Sequence, residues 1–152
     1  MLKRAVSRIW KLLSPNMRAK LVRSTQSSFT VSAAAVITND EGKVLLLNHV
    51  LRPGSGWGYP GGFINRGEQA EDAIRREVLE ETGIELSKLR LHQVLSSGSG
   101  RHIEILFTAI AVGEPEVRSR EIIEVGWFAP NEFPAEMSRP QKQRIREVIS
   151  NS

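Results

Sequence analysis

Between Glu68 and Thr82 the chain carries neither proline nor glycine, and it then meets Gly83. This predicts a helix over Glu68 to Thr82 with a glycine C-cap. At about 100° per residue, Ala70, Ala73, Ile74, Glu77, Glu81 and Ile84 share one stripe. Two carboxylates therefore lie on the face that packs against the protein, and Glu80 borders them. Glu77 and Glu81 form a like-charge i, i+4 pair, which destabilises an isolated helix by about 0.2–0.5 kcal/mol and more once partly desolvated. On the opposite side, Glu71 with Arg75 and Asp72 with Arg76 follow the favourable pattern of a solvated helix. The stripe acids have no lysine or arginine at matching spacing, apart from Arg76 beside Glu80. A hard cation with oxygen ligands, Mg2+ or alternatively Mn2+, is the economical compensation.

With 152 residues the chain suits one domain with one active centre. Phe29 to Thr38 is rich in β-branched and small residues, Asp40-Glu41-Gly42 is a turn, and Lys43 to Val50 is a second strand, together a hairpin. Leu51 to Pro60 is too rich in glycine and proline for regular structure, and Gly62 to Ile64 reads as a short strand. Beyond the helix, Leu89 to Leu95, His102 to Val112 and Ile122 to Phe128 read as strands, and Arg139 to Ser150 as a helix with Pro140 in its first turn. No internal repeat is visible. This order of elements predicts an α/β (α+β) fold, a mixed sheet with helices on its faces.

Absence of cysteine removes disulfides, zinc-thiolate sites, iron-sulfur clusters and thiol nucleophiles from consideration. No run approaches the roughly 18 to 20 apolar residues of a membrane span. The formal charge of +4 is unevenly placed. Residues 1 to 30 hold Lys3, Arg4, Arg8, Lys11, Arg18, Lys20 and Arg23 and no acid, which leaves 14 basic against 17 acidic residues in the remainder. The body is thus mildly acidic and no DNA partner is expected. Division into a basic amphipathic helical extension, 1–27, and a catalytic domain, 28–152, follows. Leu2, Ala5, Val6, Ile9, Trp10, Leu12 and Leu13 fall at helical spacing, and Ser14 with Pro15 opens a second short helix. Such an extension reads as a cap on the domain or a dimer element, then as a membrane-surface helix through residues 1–24, or as an organellar transit peptide. A cytoplasmic setting is expected, with organellar targeting as the other reading.

Around the acidic helix, Gly62, then Glu68, then Arg76-Glu77-Val78-Leu79-Glu80-Glu81-Thr82-Gly83-Ile84 reproduces the Nudix box at every specified position. Upstream, Trp57-Gly58-Tyr59-Pro60-Gly61-Gly62 resembles the family's Trp-x-x-Pro-Gly-Gly lead-in; downstream, Glu121 to Phe128 is similar to the strand that brings a late acidic residue toward the metals. The likeness covers about residues 29 to 150. It implies a Nudix-type α/β/α sandwich and a hydrolase that cleaves a phosphoanhydride in a nucleoside triphosphate or a nucleoside diphosphate joined to another group. By the same resemblance Glu77, Glu80 and Glu81 ligate the metal, with Glu68 and the Gly62 carbonyl as further members. Arg76 is implied to orient a neighbouring glutamate, Glu68 first. Glu81, Glu121 and Glu124 are all open as the general base.

Arg52 and Trp57, in the loop before the box, are the expected contacts to phosphate and base, with a place in the core as the equal alternative for Trp57. His49, His92 and His102 read as structural or surface residues, because none has a second ligand at metal spacing. A non-catalytic nucleotide-binding or regulatory module is the alternative from another class, but such members lose box glutamates that are all kept here. An RNA 5′-end pyrophosphohydrolase is a third reading; its usual glutamine near the lead-in is missing. The Ser-Gln-Pro-Trp-Pro-Phe-Pro pattern of NADH-cleaving members is absent too. Many relatives are homodimers, so a homodimer is among the expected assemblies.

Overall fold

A computed structural model describes residues 2–52, 54–96 and 100–151, and these divide into two compact units, Met1–Thr30 and Val31–Ser152. The first holds α1 (Leu2–Leu12) and α2 (Pro15–Thr25). Ser14 adopts an extended conformation between them and its Oγ accepts from the Met17 amide at 3.3 Å, while Pro15 occupies the first turn of α2. This is the N-cap arrangement that satisfies a donor the helix cannot use itself. From α2, Arg18 donates through Nη2 to the Lys11 carbonyl at 2.7 Å and so caps the end of α1.

The larger unit contains β1 (Thr30–Thr38), β2 (Val44–His49), β3 (Trp57–Gly58), β4 (Gly61–Phe63), α3 (Ala70–Thr82), β5 (Glu85–Ser96), β6 (His102–Val112), β7 (Ile122–Phe128) and α4 (Arg139–Ser150). The strands form one sheet in the order β3-β2-β1-β6-β5, with β4 also on β1 and β7 also on β2. Both faces are covered, which explains why β1 and β2 are apolar at successive positions rather than alternate ones. Ala33, Ala35, Ile37, Leu45 and Leu47 point to one face and pack with Ala73, Ile74 and Val78 of α3. Ala34, Val36, Val44 and Leu46 point to the other and pack with Ile145 and Val148 of α4. The mixed α/β architecture with a helix on each face is the one expected.

Several boundaries differ from the sequence reading. Leu51 to Pro60 is not wholly irregular, because Trp57–Gly58 pairs with β2 at Asn48 and Leu47. Two residues carry no local pattern, and the partner strand alone supplies their hydrogen bonds. β5 begins at Glu85, before the expected Leu89, because Lys88 sits in the left-handed region (φ 48°) and the register shifts between Ser87 and Arg90. That bulge breaks the alternation from which a strand is read. Glu68 precedes α3, which starts at Ala70, and Val78, outside the expected stripe, is fully buried. Gly83 ends the helix with φ 75°, as its C-cap role requires.

Candidate active site

β4 runs antiparallel to β1 and brings Gly62 beneath α3. A β-carbon at Gly62 would overlap the Glu77 carboxylate, so the backbone and this acid are in close approach. Glycine leaves room here for the Glu77 carboxylate, and its conformational freedom is not what the position uses.

Arg76 organises the acids around it. Its Nε donates to Glu68 Oε1 at 2.7 Å, Nη2 to Glu68 Oε2 at 3.0 Å, and Nη1 to Glu77 Oε1 at 2.8 Å. Nη2 also reaches the Phe63 carbonyl at 3.3 Å, and Glu80 Oε2 lies 3.6 Å from Nη1. The Glu68 carboxyl is held down to about 2, first by Arg76 and then by the Asn65 amide. Both oxygens of Glu68 are thereby engaged, since Asn65 N–H donates to Oε2 at 2.8 Å. The expectation that Glu77 lacks a cation needs correction: the long guanidinium of the preceding residue folds back to it, a contact that i, i+4 counting does not register.

Glu81 is different. It is 6% exposed, its Oε2 is buried without a hydrogen-bond partner among the described residues, and its Oε1 lies 3.7 Å from His49 Nδ1. Burial, followed by the charge of Glu77, pushes its carboxyl up to about 8, against a smaller opposing pull from Arg52. Burial, then Arg52, pushes His49 down to about 4. Although the two side chains lie within ion-pair distance, near neutral pH they are a neutral imidazole and a protonated acid. His49 Nε2 is also buried and has no partner among the described residues. Glu80, by contrast, is 61% exposed at the rim.

A cleft of about 500 Å³ opens beside these groups, lined in part by His49, Arg52, Gly62, Phe63, Glu104 and Glu121. Arg52 donates through Nη2 to the Tyr59 carbonyl at 3.2 Å and keeps Nη1 buried without a partner among the described residues. Tyr59 Oη donates to Glu104 Oε1 at 2.9 Å, and Arg144 of α4 lies 3.5 Å from that oxygen. Burial and then Glu104 raise the tyrosine hydroxyl to about 12, so it stays protonated and donating. His102 Nε2 is 3.0 Å from Ser32 Oγ and meets Phe63 edge-on at 5.9 Å.

The fold therefore gathers Gly62, Glu68, Arg76, Glu77, Glu80 and Glu81 on one side of the sheet, with Arg52 in the adjoining cleft. Trp57 and Glu124 are not brought to them. Trp57 is 8% exposed, belongs to the α4-side core and packs edge-on against Phe128 at 5.1 Å. Glu124 stands opposite Asn48 in the register and shares the face of Phe128 by strand alternation, away from α3. Glu121, just before β7, does line the cleft and contributes to the raised pKa of Glu81. The sequence reading placed His49 among the structural or surface residues and did not single out Glu104. For His49 the signal was present: it continues the alternation of Leu45 and Leu47 onto the α3 face.

Among the described residues no three acidic or imidazole groups already converge at metal-binding spacing. What the residues offer nonetheless suits a hard divalent ion: only oxygens at the helix, an orphaned buried carboxylate oxygen on Glu81, and Glu77 drawn against the Gly62 backbone.

A model of the NUDIX domain matches residues 28–150. A MutT-like protein of Streptomyces ambofaciens is 28% identical over 81% of this chain and 79% of its own length. The NAD-capped RNA hydrolase NudC of Pasteurella multocida is 38% identical over 59% of this chain but only 34% of its own length. Among solved structures, the MutT NUDIX hydrolase from Burkholderia pseudomallei superposes with a TM-score of 0.70 at 29% identity, covering 80% of this chain and 99% of that one. With the box complete, its acids assembled around Arg76 and the family match spanning both, the chain belongs to the Nudix hydrolase family.

Proposed function

We propose that this protein is a Mg2+- or Mn2+-dependent pyrophosphohydrolase acting on a nucleoside triphosphate or a nucleoside diphosphate joined to another group. The observation that carries this reading is the Glu81 carboxyl, buried beside Glu77 with one oxygen unpartnered. An isolated buried acid of this kind is costly unless something positive joins it. Glu77, Glu80 and Glu81, with the Gly62 carbonyl, would hold the ion. Glu68 has both oxygens engaged and holds Arg76 in place instead, so that Arg76 fixes Glu77. A divalent ion supplies charge neutralisation at the phosphoanhydride.

The remaining work falls to the cleft. Arg52, which lines the cleft and is steadied by the Tyr59 carbonyl, would meet a phosphate oxygen there. Glu121 is the acid best placed to take the proton of the attacking water, since Glu77 and Glu81 are committed to the ion and Glu124 faces the other side of the sheet. Water adds to one phosphorus, the bridging P–O bond breaks, and the proton passes to the Glu121 carboxylate.

Incubation with a panel of nucleoside triphosphates, nucleotide sugars, ADP-ribose, oxidised nucleotides and dinucleoside polyphosphates, with and without magnesium, tests the reading by product chromatography. NAD and 5′-triphosphorylated RNA belong in the panel because of the likeness to NudC. Turnover of at least one compound only with metal is expected; silence across the panel would favour the non-catalytic module. On the preferred compound, Arg52→Gln is expected to raise KM about tenfold or more, the scale of one charge-assisted hydrogen bond. An unchanged KM would remove Arg52 from the phosphate.

A further inference from the structure

We infer that the N-terminal unit is a membrane-surface anchor, with α1 lying in the headgroup layer of a bilayer that carries anionic phospholipid. The inference stands apart from the hydrolase reading. It rests first on how completely α1 is divided. At about 100° per residue, Val6, Ile9, Trp10 and Leu12 fall within an arc of about 160°, and Lys3, Arg4, Ser7, Arg8 and Lys11 occupy the rest without interleaving. The apolar residues are uncovered: Val6 is 57% exposed, Ile9 60%, Trp10 40% and Leu12 86%. Trp10 sits at the border of the arc next to Lys3, where an indole with an apolar body and a polar N–H suits a water-hydrocarbon boundary.

Length decides between spanning and lying. The 11 residues of α1 reach roughly 16 Å at 1.5 Å each, about half the hydrocarbon thickness of a bilayer. Among the described residues no helix is long and apolar enough to cross a membrane. A helix of this length with one apolar and one cationic face therefore rests on the surface.

Charge names the occupant. Residues 1 to 30 hold seven cations and no acid, whereas the remainder holds 14 basic against 17 acidic residues. The net attraction to an anionic surface thus comes from this unit. A second copy of α1 would set cation against cation along the seam, with no acid on either side to relieve it. A nucleic acid would engage the cations but leave the apolar arc in water. An anionic lipid surface satisfies both faces at once. The Arg18 bond to the Lys11 carbonyl and the Ser14 cap join α2 to α1, which adds Arg18, Lys20 and Arg23 to the same basic unit.

Co-sedimentation of the full chain with phosphatidylcholine vesicles, with and without about 30% phosphatidylglycerol, tests this. Binding is expected only with the anionic lipid at about 50 mM salt and is expected to fade at about 500 mM. A blue shift of tryptophan emission on binding should be lost in Trp10→Phe. The double variant Ile9→Glu, Leu12→Glu should weaken binding tenfold or more by placing charge on the apolar face. Arg4→Gln with Arg8→Gln should weaken it about 25-fold, at about fivefold per cation. Hydrolysis of soluble nucleotide should be unchanged in both. No binding, or binding indifferent to anionic lipid and salt, would overturn the inference. So would a parent dimer that ignores vesicles and dissociates in the Ile9, Leu12 variant, or retention on RNA without retention on vesicles.

Discussion

Glu81→Gln is expected to abolish metal-dependent hydrolysis, with kcat/KM falling on the order of 10³-fold or more, about 4 kcal/mol of transition-state stabilisation. Glutamine keeps the volume and leaves the core around Ala73, Ile74 and Val78 intact, so the loss isolates the charge. The same variant is expected to be at least as stable as the parent when metal is withheld. The reason is the direction of the carboxyl shift. Its pKa is raised from an ordinary 4.5 to about 8, so between those values the folded chain holds a proton that the unfolded chain has lost. Stability of the metal-free parent therefore falls as pH rises from about 4.5 through about 8, and this contribution is missing in the variant. Thermal melts in chelator at several pH values, beside steady-state kinetics, read both effects. Activity preserved in Glu81→Gln would remove the residue from the chemistry.

Gly62→Ala has the next largest expected effect, although it adds a single methyl group. The new β-carbon would fall on the Glu77 carboxylate and drive it from its position beside Arg76. A displacement on the order of 1 Å at a reacting site lowers rate by roughly 10²-fold. A fall of that size in kcat, with weaker Mn2+ uptake and an intact sheet by circular dichroism, is the expected outcome. Full activity would mean that Glu77 has room to move and that the close approach has no function.

How much was legible beforehand depended on whether a feature is local. α3 is bounded by residues whose backbone preferences are intrinsic, and its cap glycine fulfils the role read from the chain. The two-faced core followed from apolar runs in β1 and β2, whose successive side chains must point to opposite faces. The pairing of Arg76 with Glu68 was expected from resemblance and appears as a bidentate contact. Its simultaneous hold on Glu77 was not, because spacing rules count helical neighbours and not the reach of a guanidinium. Trp57 illustrates the opposite limit. An aromatic residue in a glycine-rich loop looks available to a ligand until β3 pairing and Phe128 show it to be packed. Likewise Glu121 and Glu124 are equivalent on paper. The register shift at Asn48/His49 and the start of β7 after Glu121 place one in the cleft and leave the other on the far face. Such distinctions arise from tertiary register, which no single segment encodes.

Calorimetric titration of Mg2+ or Mn2+ into the metal-free protein near pH 7, in two buffers of different ionisation enthalpy, addresses the acidic helix directly. Binding should release close to one proton per ion, because Glu81 must give up the proton that it holds below about 8. Affinity should climb about tenfold per pH unit toward that value, and both signatures should vanish in Glu81→Gln. Heats no larger than dilution, or ion uptake that neither releases a proton nor changes in the variant, would contradict the assignment of these carboxylates to a metal.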